Sequence, residues 1–226
     1  MNMENITPQK FYKKLGAGGL ALRKKPEQTK SELLFLKKLL NKKQRILDLA
    51  CGYGRFTIPL ARAGYNIEGL DLSPNLLKKA KNDARKEKLK IKFIEGDMTK
   101  LPYADGTFDT VICMWSAFIE LTKKKDQINA LNEMLRVLDK RGFAFIEQAV
   151  PQRLFTNLKT NRTDVKPQKL KGRVVQSIVD GVLATPMYMH NLTTMNRLMK
   201  KVKPRKYKIS VKKFGGRPRT LIWMWK

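Results

Sequence analysis

Three carboxylates, Asp48, Asp71 and Asp97, each stand at the end of an apolar run, and two closely spaced glycines, Gly52 and Gly54, follow the first. Acids at the ends of successive strands can accept hydrogen bonds from sugar hydroxyls and from an exocyclic amine, which is the chemistry that holds a nucleoside. Ile46-Leu47-Asp48-Leu49-Ala50 reads as a buried strand running straight into the turn Cys51-Gly52-Tyr53-Gly54-Arg55. Glycine lacks Cβ, so the chain can take positive φ there and lie against a ligand. Asp71, 23 residues after Asp48 in Gly69-Leu70-Asp71-Leu72-Ser73, is suitably placed for ribose hydroxyls. Asp97, in Glu95-Gly96-Asp97-Met98, can receive an adenine amino group while Met98 covers the ring. A bare GxG is also what a structural strand-to-helix turn looks like. It is the three acids together that point to a nucleoside.

These residues require a parallel sheet to hold them. Apolar runs at Arg45–Leu49, Asn66–Asp71, Ile91–Glu95, Thr107–Met114 and Phe143–Gln148 read as strands. Helical segments at Phe56–Ala63, Pro74–Glu87 and Asp126–Leu138 alternate with them, the pattern of an α/β sheet with helices on both faces. Ser73 before Pro74 is an N-cap and first-turn pair. Arg141-Gly142 reads as a turn into the fifth strand, and Lys30–Leu40 as a further helix packed on the sheet. Leu15-Gly16-Ala17-Gly18-Gly19 follows no strand and reads as a loop. Residues 1–28 are thus an N-terminal arm or lid, and 29–226 one domain.

The C-terminal third departs from this alternation. Val174–Val179 and Val182–His190 flank Asp180-Gly181, the signal of a two-residue hairpin. With the loop before it, a candidate mobile segment at Asn157–Lys171, the hairpin makes an insertion over about 151–192, well placed to cover a pocket. A helix at Thr193–Val202 and an antiparallel pair, Lys206–Phe214 and Arg219–Trp225, close the chain.

Composition bounds the function. The 226 residues suffice for one domain with a substantial core, and 42% hydrophobic content is ordinary. No apolar run approaches the roughly 20 residues that span a bilayer, and Met1–Lys14 has no signal-peptide core, so a soluble, cytoplasmic protein without membrane contact is expected. Two cysteines, Cys51 and Cys113, and the single His190 cannot build a structural zinc site, and free thiols are expected. The net charge is +29, and residues 151–226, with 19 Lys/Arg against Asp164 and Asp180, hold +17 of it. Such a field attracts polyanions, so nucleic acid is one possible partner. The lysines are nevertheless scattered and lack regular aromatic interleaving, as on ordinary solvated faces.

From about Thr29 onward the chain resembles the class I S-adenosylmethionine-dependent methyltransferases. The resemblance rests on Ile46–Arg55, Gly69–Ser73, Gly96-Asp97-Met98 and Phe108–Ser116, with Leu135-Arg136-Val137-Leu138 before Arg141-Gly142. Ala50 stands where the family usually has glycine. The closest likeness is to members with a β-hairpin inserted after strand five. The family implies a Rossmann-like α/β fold with seven strands in the order 3-2-1-4-5-7-6, the last antiparallel, and S-adenosyl-L-methionine as cofactor. A nicotinamide dehydrogenase would prefer a third glycine at position 57, which is threonine. The Pro-Pro-Tyr type motif of amino-directed nucleic-acid methyltransferases is absent after strand four, where Met114-Trp115-Ser116-Ala117-Phe118 stands. A small-molecule acceptor is therefore the first expectation; the alternative is an RNA- or DNA-binding methyltransferase, or a non-catalytic nucleic-acid-binding protein, that uses the basic C-terminal face.

The resemblance places Asp48, Ala50, Cys51, Gly52, Tyr53, Gly54 and Arg55 around the methionine moiety. It puts Asp71 and Leu72 at the ribose, Asp97 and Met98 at the adenine, and Met114-Trp115 beside the transferable methyl. Tyr12 and Arg23 are candidates to close the site from the arm. Methyl transfer is an in-line displacement that needs alignment and no obligatory base. His190, the one side chain that ordinarily titrates near neutrality, is a candidate base at the end of the hairpin. Glu147, the other candidate catalytic residue, and Glu120 are candidate acceptor contacts.

Overall fold

The computed structural model describes residues 6–22, 26–150, 165–169, 173–179, 182–214 and 217–226. Its centre is a seven-stranded sheet built from β1 (Arg45–Leu49), β2 (Asn66–Asp71), β3 (Phe93–Glu95), β4 (Phe108–Cys113), β5 (Leu138–Ala149), β10 (Lys206–Phe214) and β11 (Arg217–Trp225). The spatial order from one edge is β3-β2-β1-β4-β5-β11-β10. The first five strands pair in parallel, and β11 alone runs against both its neighbours. This is the order 3-2-1-4-5-7-6 that the motifs imply.

Alternating side chains give the sheet two apolar faces. Leu47, Leu49, Val111, Cys113, Ala144 and Ile146 pack on one side with Leu131 and Met134 of α5 (Lys124–Val137) and Met195, Leu198 and Met199 of α6 (Leu192–Val202). Ile46, Ile112 and Phe145 pack on the other with Leu36 of α2 (Pro26–Leu39) and Leu60 of α3 (Thr57–Arg62). Between β2 and β3, α4 (Pro74–Lys86) begins as expected, with Ser73 Oγ accepting the Leu76 N–H at 3.4 Å. An Asn191–Thr194 capping box starts α6.

Four expectations are corrected. The glycine-rich stretch 15–19 is not a loop: it lies inside α1 (Pro8–Leu22), a helix kinked at Gly16, whose φ of 67° and ψ of 171° suit glycine. Arg141-Gly142 does not turn into a new strand. β5 already runs from Leu138 and carries a bulge there, its register with β4 jumping from Leu138↔Phe108 to Phe143↔Thr110. Gly142 permits this, because a Cβ would sit 2.9 Å from the Asp109 carbonyl oxygen. Within the expected mobile segment 157–171, residues Val165–Lys169 form β6, paired antiparallel with β7 (Val174–Val179); the rest lies outside the described residues.

The inserted hairpin is likewise more than two strands. Val182–His190 divides into β8 (Val182–Leu183) and β9 (Met187–Tyr188), both paired with β7. Pro186 interrupts the run because it has no N–H for the ladder, and the Gln176 amide donates to the Ala184 carbonyl at 2.9 Å in the gap. The Asp180-Gly181 turn itself lies outside the described residues. No helix among the described residues is long and apolar enough to cross a membrane.

Candidate active site

The carboxyl ends of β1, β2 and β4 open into one cleft lined by Asp48, Cys51, Gly52, Arg55, Asp71, Asp97, Met98, Met114, Trp115 and Glu120, among others. Ala50, Tyr53 and Leu72 line it too. This is where open α/β sheets place ligands, because strand order reverses beside β1. Helix α1 forms the remaining wall, contributing Pro8, Gln9 and Tyr12 while packing on α4 and β8.

The turn after β1 is held by the next strand. The Cys51 N–H donates to the Leu70 carbonyl at 3.0 Å, and the Gly52 N–H to Asp71 Oδ2 at 2.7 Å. The second oxygen of Asp71 accepts the Ser73 N–H at 2.8 Å. Burial pushes the Asp71 carboxyl up, opposed by the N–H groups of Ser73, Gly52 and Leu72. Each oxygen retains further acceptor capacity for a ribose hydroxyl. Positive φ occurs at Gly52 (57°), Gly54 (82°) and also Ala50 (60°). For alanine this conformation costs about 1–2 kcal/mol, which explains why glycine suits the position better.

Asp48 is fully buried, and the Thr57 hydroxyl donates to its Oδ2 at 2.6 Å. Desolvation pushes this carboxyl up to about 7 against that hydrogen bond. Thr57, where a dehydrogenase would prefer glycine, is therefore the partner of the strand-one acid, a role invisible without the turn's geometry. Arg55 is buried between the rings of Phe56 and Trp115, at 4.4 and 5.5 Å from their centres. Its Nη2 bonds Thr29 Oγ1 at 2.9 Å and pairs with Glu32, whose Oε1 accepts from Gln28 Nε2 at 2.9 Å. Gln28, Glu32 and Leu36 form the buried stripe of α2. Their i, i+4 spacing was the signal for Glu32, masked by its charge. Nη1 of Arg55 has no hydrogen-bond partner among the described residues.

Not every expected residue reaches the cleft. Gly54 shapes the turn from outside it, a Cβ there pressing within 2.9 Å of Ile58. Asp97 lines the cleft only at its exposed rim, its Oδ1 accepting the Thr99 N–H at 2.8 Å. Arg23 lies outside the described residues. Glu147, a candidate acceptor contact, is 1% exposed and lines no part of the cleft. It pairs with Arg219 and accepts the Trp115 N–H at 2.7 Å.

His190 is also held away from the cleft, packed against Phe118 and Tyr188 with ring centres 5.7 and 4.6 Å apart. Neither ring nitrogen has a partner among the described residues, and burial, helped by Arg173, pushes its pKa down to about 4. Cys51 and Cys113 are free, buried thiols, both pushed up by desolvation.

The strand order, with this cleft at the carboxyl ends of β1, β2 and β4, is that of the class I methyltransferase fold. Residues 46–142 match the methyltransferase domain family, and the chain carries a class I S-adenosylmethionine-dependent methyltransferase domain. It is 35% identical over 108 residues to the YqeM protein of Bacillus subtilis, covering 48% of this chain and 43% of that protein. It is 37% identical over 106 residues to the demethylmenaquinone methyltransferase of Deinococcus radiodurans, covering 46% and 42%. The aligned region thus spans less than half the length of either relative. The crystal structure of an S-adenosylmethionine-dependent methyltransferase from Clostridium acetobutylicum shares the fold at a TM-score of 0.69 and 19% identity, over 95% of this chain and 96% of that one.

Proposed function

We propose that this chain transfers a methyl group from S-adenosylmethionine, the methyl donor of its family, to a small-molecule acceptor. The observation that carries this reading is Nη1 of Arg55, without a hydrogen-bond partner among the described residues, on a side chain that lines the cleft with Asp48 and Asp71. A cofactor with an amino-acid end, a ribose and a purine suits that set. Arg55 Nη1 would take the carboxylate, Asp48 would face the cationic methionine end, Asp71 the ribose hydroxyls, and Asp97 with Met98 the adenine. When bound, the cofactor supplies a methyl carbon activated by its sulfonium for in-line displacement.

The protein's own part is alignment and the exclusion of water. Met114 and Trp115 close the cleft floor at the end of β4, and α1 covers it. Orientation of this kind is worth effective molarities of roughly 10⁵–10⁸ M. Calorimetry with S-adenosylmethionine and S-adenosylhomocysteine tests the reading. Both should bind, and Asp71→Ala should weaken both; a wild-type protein that binds neither overturns it.

A second reading, methylation or binding of RNA or DNA, draws on the basic C-terminal strands. Lys206 and Lys208 of β10 lie over the rings of Trp225 and Trp223 on β11, at 5.5 and 5.7 Å. Cations beside aromatic rings on one sheet face are a feature that nucleic-acid surfaces use.

A further inference from the structure

A chain with net charge +29 has built a cleft of the opposite sign. Among the described residues four carboxylates line it, Asp48, Asp71, Asp97 and Glu120, against one cation, Arg55, which is already paired with Glu32. Three of the four are assigned above to the cofactor. Glu120 is left over, and its position is distinctive. It ends the short 3-10 turn Ala117–Glu120 that follows β4, so it stands in the same wall as Met114, Trp115 and Ala117, on the side closed by α1.

We infer that Glu120, held by Tyr12, receives the methyl acceptor as a cation, so that the substrate class is a primary or secondary amine arriving as its ammonium ion. This rests on the methyltransferase reading and assigns the acceptor end of the same cleft. The Tyr12 hydroxyl donates to Glu120 Oε1, linking α1 to the turn after β4 across the cleft mouth. Tyr12 is a positioning residue: the bond fixes the carboxyl and leaves Oε2 for the acceptor. Phe11, beside Tyr12, packs on Ala184 of the insertion, which ties the lid to the inserted sheet.

The groups that act electrostatically on Glu120 are Tyr12 from α1 and Asp71 from β2, with Asp48, Asp97 and Arg55 in the same cleft. Desolvation pushes the Glu120 carboxyl up to about 7, the Tyr12 bond pulls against it, and Asp71 adds to the rise. An ammonium beside it favours the carboxylate and is favoured by it. A carboxylate or phosphate acceptor would instead meet four acids, and a neutral phenol would do nothing to favour the carboxylate over the protonated acid.

The proton balance is complete within these groups. The acceptor R–NH₃⁺ gives one proton to Glu120, leaving R–NH₂. The nitrogen lone pair forms the N–C bond as the S–C bond breaks, its electron pair staying on sulfur. The product leaves as R–NH₂⁺–CH₃, and Glu120 returns its proton to solvent.

The test is a screen of matched skeletons bearing amine, phenol, alcohol or thiol groups, read as S-adenosylhomocysteine released from S-adenosylmethionine. Turnover should be confined to amines. Glu120→Gln should lower kcat/KM for the accepted amine about a hundredfold while S-adenosylhomocysteine affinity holds. Tyr12→Phe removes a bond that favours the carboxylate, so the acid limb of the kcat/KM profile should move to higher pH. Turnover with phenols, alcohols or thiols alone, amine turnover that Glu120→Gln leaves intact, or silence across the screen overturns the inference. Failure of the wild type to bind S-adenosylhomocysteine would instead bring down the cofactor reading beneath it.

Discussion

The backbone N–H of Trp115 donates to Glu147 Oε2 at 2.7 Å, across the gap between the ends of β4 and β5. Trp115 and Ser116 both have left-handed backbones, with φ of 55° and 67°. Two such residues in succession cost about 1–3 kcal/mol each and persist only when their surroundings impose them. Here the surroundings are Glu147 and Arg219. The Ser116 N–H reaches the Glu147 carbonyl at 3.0 Å, and Ser116 Oγ accepts from Arg219 Nη2 at 2.5 Å and from the Ala149 N–H at 3.0 Å. Glu147 is thus a brace for the cleft floor.

Glu147→Gln should consequently destabilise the fold by about 3 kcal/mol, because it leaves a largely buried guanidinium without its countercharge. Glu147→Gln with Arg219→Gln should cost less than the sum of the single changes. Urea unfolding of the three variants measures this; additivity would show that the pair is not coupled.

Asp48 should make stability fall as pH rises. Its folded pKa of about 7 lies above the ordinary 3.8, so the native state holds the proton more tightly. That contribution is complete below about pH 3.8 and disappears as pH climbs through 7. Asp48→Asn keeps an acceptor for Thr57 and cannot ionise. Its urea midpoint should therefore lose part of the decline between pH 4 and pH 7 that the wild type shows. Identical profiles would contradict the assignment.

Arg55 should select the amino-acid end of the cofactor. A double change, Arg55→Gln with Glu32→Gln, avoids stranding the Glu32 charge. It should weaken S-adenosylhomocysteine binding about tenfold or more, since hydrogen bonds to charged groups are worth about 1.5–3 kcal/mol. The affinity for 5′-methylthioadenosine, which lacks that end, should stay the same. Equal weakening of both ligands in calorimetry would refute the role.

Ala50→Gly should be neutral or stabilising. Releasing alanine from its φ of 60° recovers about 1–2 kcal/mol, partly offset by about 0.5–1 kcal/mol of added unfolded-state entropy. Thermal or urea unfolding would detect a gain of up to about 1.5 kcal/mol; a marked loss would mean that the Cβ packs usefully.

If the basic face binds nucleic acid, log K should fall linearly with log salt, with a slope near −0.9 per neutralised phosphate on duplex. Lys206→Ala and Lys208→Ala should each flatten that slope. Absence of binding at moderate salt would remove the second reading.

Much of this protein was determined by local sequence. The alternation of apolar runs and helical segments, the Cys51–Arg55 turn, and the acids Asp48, Asp71 and Asp97 at strand ends were legible because period, glycine and strand-end position are properties of short segments. What neighbours do to a residue was not. Gly16 looked like a loop former until packing kept helix on either side of it, and Arg141-Gly142 became a bulge because β4 imposes a register shift there. His190 and Glu147 carry the right functional groups for catalysis, yet the tertiary structure packs one among aromatic rings and commits the other to Arg219. Conversely, Glu120 gains its place in the cleft from Tyr12, 108 residues away in the chain. Burial, pairing and charge environment arise only when distant segments meet, and these decide which acids are braces and which face a ligand.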